Sequence, residues 1–294
     1  MKELSKILKS ISLVPLSYRT NNNIIEIDTT KGRYIAKKNK HKENIYDYLN
    51  NRNFNYYPKI VDDSDYLITE YIEDSSIPNE KRMFDLVELD ALLHAKTTYY
   101  RETKPDEYKQ IYEDVANNFI YLKEYYTDMI TIIDSKVFMS PSEYLLARNI
   151  SLIFESINKG IKMADEWIKQ VENEYKIRVS VVHNNLRLSH LIESDKNYLV
   201  SWDKSKIDIP IFDLYNLYNI HYIDYPFNEL LKDYEKIYPL KKYERELLFI
   251  LLIMPKKIEF SKGQYEMTKI IGDEIDRLYK SNMIISEYKK SIKN

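Results

Sequence analysis

The sequence predicts an α+β protein in two lobes, a small antiparallel β-sheet lobe followed by a large, mostly helical lobe that holds one isolated hairpin. Three observations predict it. Residues 1–74 carry short β-branched runs about turn signals. From residue 80 onward apolar residues recur at helical spacing. Between two long helical stretches, the period drops back to that of a strand over residues 178–202.

In the first lobe, Ile24-Ile25-Glu26-Ile27-Asp28 and Tyr34-Ile35-Ala36-Lys37 flank Thr29-Thr30-Lys31-Gly32 and read as a hairpin. A helix is expected over about His41–Asn51. Two further strands follow, Pro58–Val61 and Tyr66–Ile72, joined by the turn Asp62-Asp63-Ser64-Asp65. That acidic turn lacks the spacing and glycine of a calcium loop. The stripe Leu4, Ile7, Leu8 and Ile11 predicts an amphipathic helix packed on the core. The lobe boundary is placed at residue 74, giving lobes 1–74 and 75–294.

In the second lobe, Leu86, Leu89, Leu92 and Leu93 predict a helix over Phe84–Tyr100, and a second is expected over Glu107–Asp134. A third opens on Ser140-Pro141-Ser142-Glu143, which is a capping box with proline at the first helical position. It runs to about Tyr175. The runs Arg178–Val182 and Leu199–Val200 form the hairpin, and helices resume near Phe212 with breaks near Pro226, Pro239 and Pro255.

The 294 residues are 44% apolar and 31% charged, with a formal net charge of −2. A balanced charge argues against a general binder of nucleic acid, which needs a basic excess. No cysteine occurs, so disulfides and thiolate chemistry are excluded. The four glycines are never close enough to build a P-loop or a dinucleotide fingerprint. The 28 tyrosines, including the Tyr121–Tyr126 run, read as compositional bias. The basic N-terminus has an interrupted apolar run, so neither a signal peptide nor a membrane span is expected, and the chain reads as cytoplasmic.

The stretch His183-Asn184-Asn185-Leu186-Arg187-Leu188-Ser189-His190 is followed by Leu199-Val200-Ser201-Trp202-Asp203 and then Asp208-Ile209-Pro210-Ile211-Phe212-Asp213-Leu214. In order and spacing these resemble H-G-D-x-x-x-x-N, D-[WF]-[DE] and the D-L tail of the aminoglycoside phosphotransferase and choline kinase superfamily. The nearest likeness is to spore-coat CotS-like proteins. Upstream, Leu92-Leu93-His94-Ala95-Lys96-Thr97 resembles the L-H-x-x-T helix of that family, and Tyr34-Ile35-Ala36-Lys37 its lysine-bearing strand. The resemblance spans about residues 20–220 and implies a protein-kinase-like fold with a catalytic-loop hairpin. It also implies that His183 and Asp213 brace the catalytic loop and that Trp202 packs beneath the cleft.

The same resemblance marks three departures. Asn185 stands at the catalytic base, and His190 and Ser201 stand at the two Mg²⁺ ligands. Asparagine cannot accept a proton, and losing a general base typically costs ~10²–10⁴ in rate. Mg²⁺ favours hard anionic oxygens over imidazole or a neutral hydroxyl. The three positions are therefore expected to be non-functional, which makes the chain a pseudokinase acting as a binding scaffold or regulator, through a protein partner first and a nucleotide bound without turnover second. The CotS likeness adds spore coat or envelope assembly as its setting. No cofactor and no metal are expected under that reading. His94, on an apolar helix face, reads as a structural hydrogen-bonder, His41 and His221 have no partners at metal or triad spacing, and His183 and His190 lack a nearby cysteine.

The alternative is an active small-molecule kinase. Strand alternation puts Asp203 on the same side as Ser201, from which it would serve Mg²⁺ while Asn185 orients the acceptor hydroxyl. ATP and Mg²⁺ enter only there. Lys37, with Glu43 as its ionic partner, is the candidate phosphate contact. Lys38 competes for that role, since the register is open by one residue.

Overall fold

The computed structural model describes residues 2–39, 45–104, 106–260 and 263–291. The chain packs into two compact units, residues 1–97 with 183–206, and residues 98–182 with 207–294. Packing thus returns residues 183–206 to the first unit, whereas the lobe boundary read from sequence lies at residue 74.

The first unit is built on a five-stranded antiparallel sheet in the order β1-β2-β3-β5-β4. Its strands are β1 (Pro15–Asn21), β2 (Ile24–Thr29), β3 (Gly32–Lys38), β4 (Ile60–Asp63) and β5 (Tyr66–Glu70). The hairpin read from sequence is β2–β3, with Thr29 paired to Gly32. Sequence patterning missed β1, because as an exposed edge strand it lacks alternation between an apolar and a polar face. A two-residue turn at Asn22-Asn23 joins β1 to β2, with Asn22 in the left-handed region at φ 52°. Asparagine tolerates that region better than most residues.

Helix α1 (Lys2–Ser10) lays Leu4 and Leu8 against Ile27, Ala36 and Ile68, one face of the sheet, so its apolar stripe is core as expected. Helix α2 is described over Ile45–Asn51, and α3 spans Asn79–Thr97. In the turn at residues 62–65, Asp62 accepts from both the amide and the hydroxyl of Ser64.

The hairpin between residues 178 and 202 differs from expectation. The run expected as its first strand belongs to β7 (Lys176–Val182), which pairs with β6 (Tyr99–Glu102) in the register Tyr99↔Val179. With β10 (Lys206–Asp208) these form a sheet in the order β10-β7-β6. Six consecutive buried residues in β7 mark a central strand, which needs partners on both edges, and a local hairpin supplies only one. The hairpin itself is β8 (Leu191–Glu193) with β9 (Asn197–Leu199), in the register Leu191↔Leu199.

In the second unit, α4 (Glu107–Asp134) and α5 (Pro141–Val171) form a long helical hairpin. The predicted capping box is present. Glu143 N donates to Ser140 Oγ at 3.4 Å, and Ser140 N donates to the Glu143 carboxylate at 2.8 Å. Helices α6 (Ile211–His221), α7 (Phe227–Ile237), α8 (Lys242–Ile253) and α9 (Gln264–Ser291) follow, and α5 packs against both α8 and α9. Among the described residues, no helix is long and apolar enough to cross a membrane.

Candidate functional site

Strand alternation within the first unit builds one wall of a cavity. Ala36 on β3 faces α1, so its neighbours Ile35 and Lys37 face the other way. The registers Ile24↔Lys37, Glu26↔Ile35, Ile35↔Thr69 and Lys37↔Leu67 gather these side chains on the same face. The opposite wall comes from residues 189–202, chiefly Ile192, Leu199, Ser201 and Trp202, with Tyr46 of α2 and the segment Glu70–Ile72 closing the ends. The cavity holds about 260 Å³ and is mostly apolar.

The lysine register is thereby decided. Lys37 lines this cavity, and its ammonium forms an ion pair with Asp203, 166 positions away in sequence. Lys38 is exposed. Glu43, the expected partner of Lys37, lies outside the described residues. Among the described residues of α2, Tyr46 lines the same cavity. Burial is the largest cause pushing its hydroxyl pKa far up, and Asp203 adds to it. Sequence reasoning missed Tyr46.

Asp203 follows Trp202 in a short 3₁₀ turn (Trp202–Lys204) entered through Ser201 at φ +67°. A serine in this left-handed conformation costs roughly 1–2 kcal/mol. Trp202 is buried. Its ring meets His183 edge-on at 4.8 Å and Phe54 at 6.0 Å, and its indole N–H donates to Leu199 O at 2.9 Å. His183 is fully buried with Nε2 at 3.0 Å from Val200 O, so Nε2 carries the proton. Asn184 has φ +55°, and its side-chain amide donates to Lys204 O.

His190 Nδ1 lies 2.7 Å from Asn185 O. A carbonyl only accepts, so Nδ1 is the protonated nitrogen. Burial, the largest cause, holds His190 below its ordinary pKa. Arg187 and Lys37 act in the same direction, against the Asn185 carbonyl and Asp203. The side chain is therefore a neutral imidazole at pH 7. Asp213 sits fully buried in the first turn of α6, in the second unit.

A second cluster holds the segment leaving β5 against the β8–β9 hairpin. Arg82 of α3 donates to both carboxylate oxygens of Asp74 at 3.0 Å and also reaches Leu191 O. Asp74 in turn accepts from Glu193 N at 2.9 Å, and Ser75 N donates to Glu193 O at 2.7 Å. Nothing in the local sequence pattern announces this clamp, because its partners lie up to 119 residues apart.

No protein-family profile matches the chain, and no curated protein matches it either. Solved structures do. An aminoglycoside phosphotransferase from Alicyclobacillus acidocaldarius superposes with a TM-score of 0.71 at 12% identity, covering 95% of this chain and 93% of its own. The fold is that of the aminoglycoside phosphotransferases. An AMP-bound spectinomycin phosphotransferase gives 0.54 at 11% identity, covering 95% of this chain and 97% of its own. A choline kinase from Streptococcus pneumoniae gives 0.48 at 16% identity over 98% and 99% of the two chains.

The motif resemblance implies Mg²⁺, and the side chains at the positions it assigns to that metal do not fit it. Asn185 and Ser201 are uncharged side chains, His190 is a neutral imidazole, and Asp203 is engaged by Lys37. Mg²⁺ prefers near-octahedral anionic oxygen and water.

Proposed function

We propose that this chain is a phosphotransferase-fold protein without phosphotransferase chemistry, a pseudokinase that acts by binding a protein partner. The observation that carries the reading is the ion pair between Lys37 and Asp203. The cation a phosphate would need and the acid a metal would need neutralise each other. The neighbouring positions 185, 190 and 201 offer only neutral groups. The likeness to CotS-like proteins extends the proposal to spore-coat or envelope assembly; it rests on the motifs alone.

A second reading has one observation in its favour. Asp203 is an acid placed at the lysine of the cavity, from which it would hold Mg²⁺ for an active small-molecule kinase once Lys37 turned to phosphate. The AMP bound to the spectinomycin phosphotransferase, a neighbour of the same fold, makes ATP the nucleotide to test.

Thermal-shift titration with ATP, with and without Mg²⁺, separates the two. The proposal expects no Mg²⁺-dependent rise in Tm for the wild type. The triple variant N185D/H190N/S201D is expected to gain a Mg²⁺-dependent rise and measurable phosphate release from ATP. Wild-type turnover as fast as that of the triple variant would sink the proposal and leave the kinase reading standing.

A further inference from the structure

The β8–β9 hairpin supplies part of the cavity wall through Ile192 and Leu199, and the clamp of Arg82 and Asp74 holds it there. By strand alternation, Glu193 shares a face with Leu191 and, across the pair, with Asn197 and Leu199. Leu191 and Leu199 are buried, so the carboxyl stands beside apolar side chains. Glu193 is only 2% exposed, and neither of its carboxylate oxygens has a hydrogen-bond partner among the described residues. Buried polar groups are nearly always paired, so such a carboxyl is unusual.

The backbone of the same residue is fully tied. Glu193 N donates to Asp74 at 2.9 Å, and Ser75 N donates to Glu193 O at 2.7 Å. The residue that fastens the hairpin to the segment leaving β5 thus carries a side chain whose site opposes charge. Asp85, Arg82 and Lys81 face it from α3 and Asp74 from the segment leaving β5, while Asn197 opposite on β9 is uncharged. Arg82 is already engaged by Asp74 and by Leu191 O.

Burial, the largest cause, and the two acids hold the Glu193 carboxyl above its ordinary pKa, against Arg82 and Lys81. Once ionised, the carboxylate gains more from water than from this site. Lifting the hairpin edge away from residues 74–75 gives it that water without unfolding the whole unit, and local openings of this kind cost less than global unfolding. Such an opening releases one proton. Its equilibrium constant rises by up to about tenfold per pH unit above the ordinary carboxylate value, and levels off once pH passes the folded value.

We propose that Glu193 is a proton-operated latch on the β8–β9 hairpin: protonated, it lets the hairpin close on residues 74–75 and complete the cavity wall, and ionised, it releases that edge and opens the cavity to solvent. The test is hydrogen exchange of the Ser75, Glu193 and Leu199 amides in wild type and E193Q. The two proteins are compared at equal pH, from about 4.5 to 8, so that the intrinsic pH dependence of exchange cancels. The wild-type rate relative to E193Q rises with pH and then levels off. At pH 8 these wild-type amides are also less protected than those of the β2–β3 hairpin in the same unit, as local opening requires. Should E193Q misfold, D85N carries the test, since loss of a repelling acid shrinks the rise. A ratio that stays within about twofold across the range overturns the proposal. Equal protection of the two hairpins also overturns it, because exchange then passes through unfolding of the unit, as does a rise that D85N leaves unchanged. None of these outcomes involves turnover or a nucleotide, so the pseudokinase reading stands or falls separately.

Discussion

Glu193 is buried in β8, and neither of its carboxylate oxygens has a hydrogen-bond partner among the described residues. Burial is the largest cause holding its pKa above the ordinary carboxylate value, and Asp85 and Asp74 reinforce it against Arg82 and Lys81. A raised folded pKa contributes stability below the unfolded value, and that contribution is lost as pH rises through the folded value. E193Q removes the charge while keeping the shape. It is expected to be more stable than wild type at pH 8, because it removes the cost of ionising a buried carboxyl. The difference should vanish near pH 4, and urea unfolding across that range measures it. The pair of Lys37 and Asp203 is partly exposed, which limits its worth. A double-mutant cycle with K37M and D203N is expected to give a coupling of about 1 kcal/mol. The residues themselves were legible in the sequence, Lys37 as one of two lysines and Asp203 as an acid beside Ser201. Their contact was not, because nothing in a one-dimensional pattern joins positions 166 apart.

At the scale of elements, the long helices were the most legible part. Helix α4 runs from Glu107 to Asp134, the span its periodicity predicts, and the capping box sets the start of α5. What periodicity does not carry is how closely two helices approach. At Gly160 of α5, a Cβ would overlap the ring of Phe119 on α4, and that ring is fully buried. Glycine to alanine inside a helix ordinarily gains up to about 1 kcal/mol. Here overpacking costs about 1–3 kcal/mol and outweighs the gain. G160A is therefore expected to melt lower by about 2–4 °C per kcal/mol lost. F119A should cost less in the G160A background than alone, the sign that the two share one contact. The clamp from α3 makes a related point. R82A is expected to cost about 2–4 kcal/mol, since it strips Asp74 and Leu191 O of a charged donor. R82K should recover little of this, because an ammonium cannot reproduce the guanidinium fork.

For the whole molecule, the restored variant N185D/H190N/S201D tests what the fold retains. Two new carboxylates near Asp203 repel one another, so the variant is expected to be less stable than wild type without metal. Mg²⁺ with ATP should reverse the order, since a ligand at 100 times its Kd stabilises by about 2.7 kcal/mol. Wild type, with Asp203 already neutralised by Lys37, is expected to show no such gain. Differential scanning fluorimetry on both proteins reads the crossing.

Composition, period and motif order determined the α+β class, the β2–β3 hairpin, the helices from α3 onward and the three neutral side chains at positions 185, 190 and 201. These are properties of neighbours along the chain, where a repeat of 2 or 3.6 residues or a capping pair suffices. Tertiary structure alone decided that β7 is the centre of a sheet with β6 rather than half of a hairpin. It also turned Lys37 to the cavity, set Asp203 against it, and brought Tyr46 to the cavity lining. Each of these depends on which face of an element is covered by a distant one. Burial and strand pairing settle that only once the whole chain has packed.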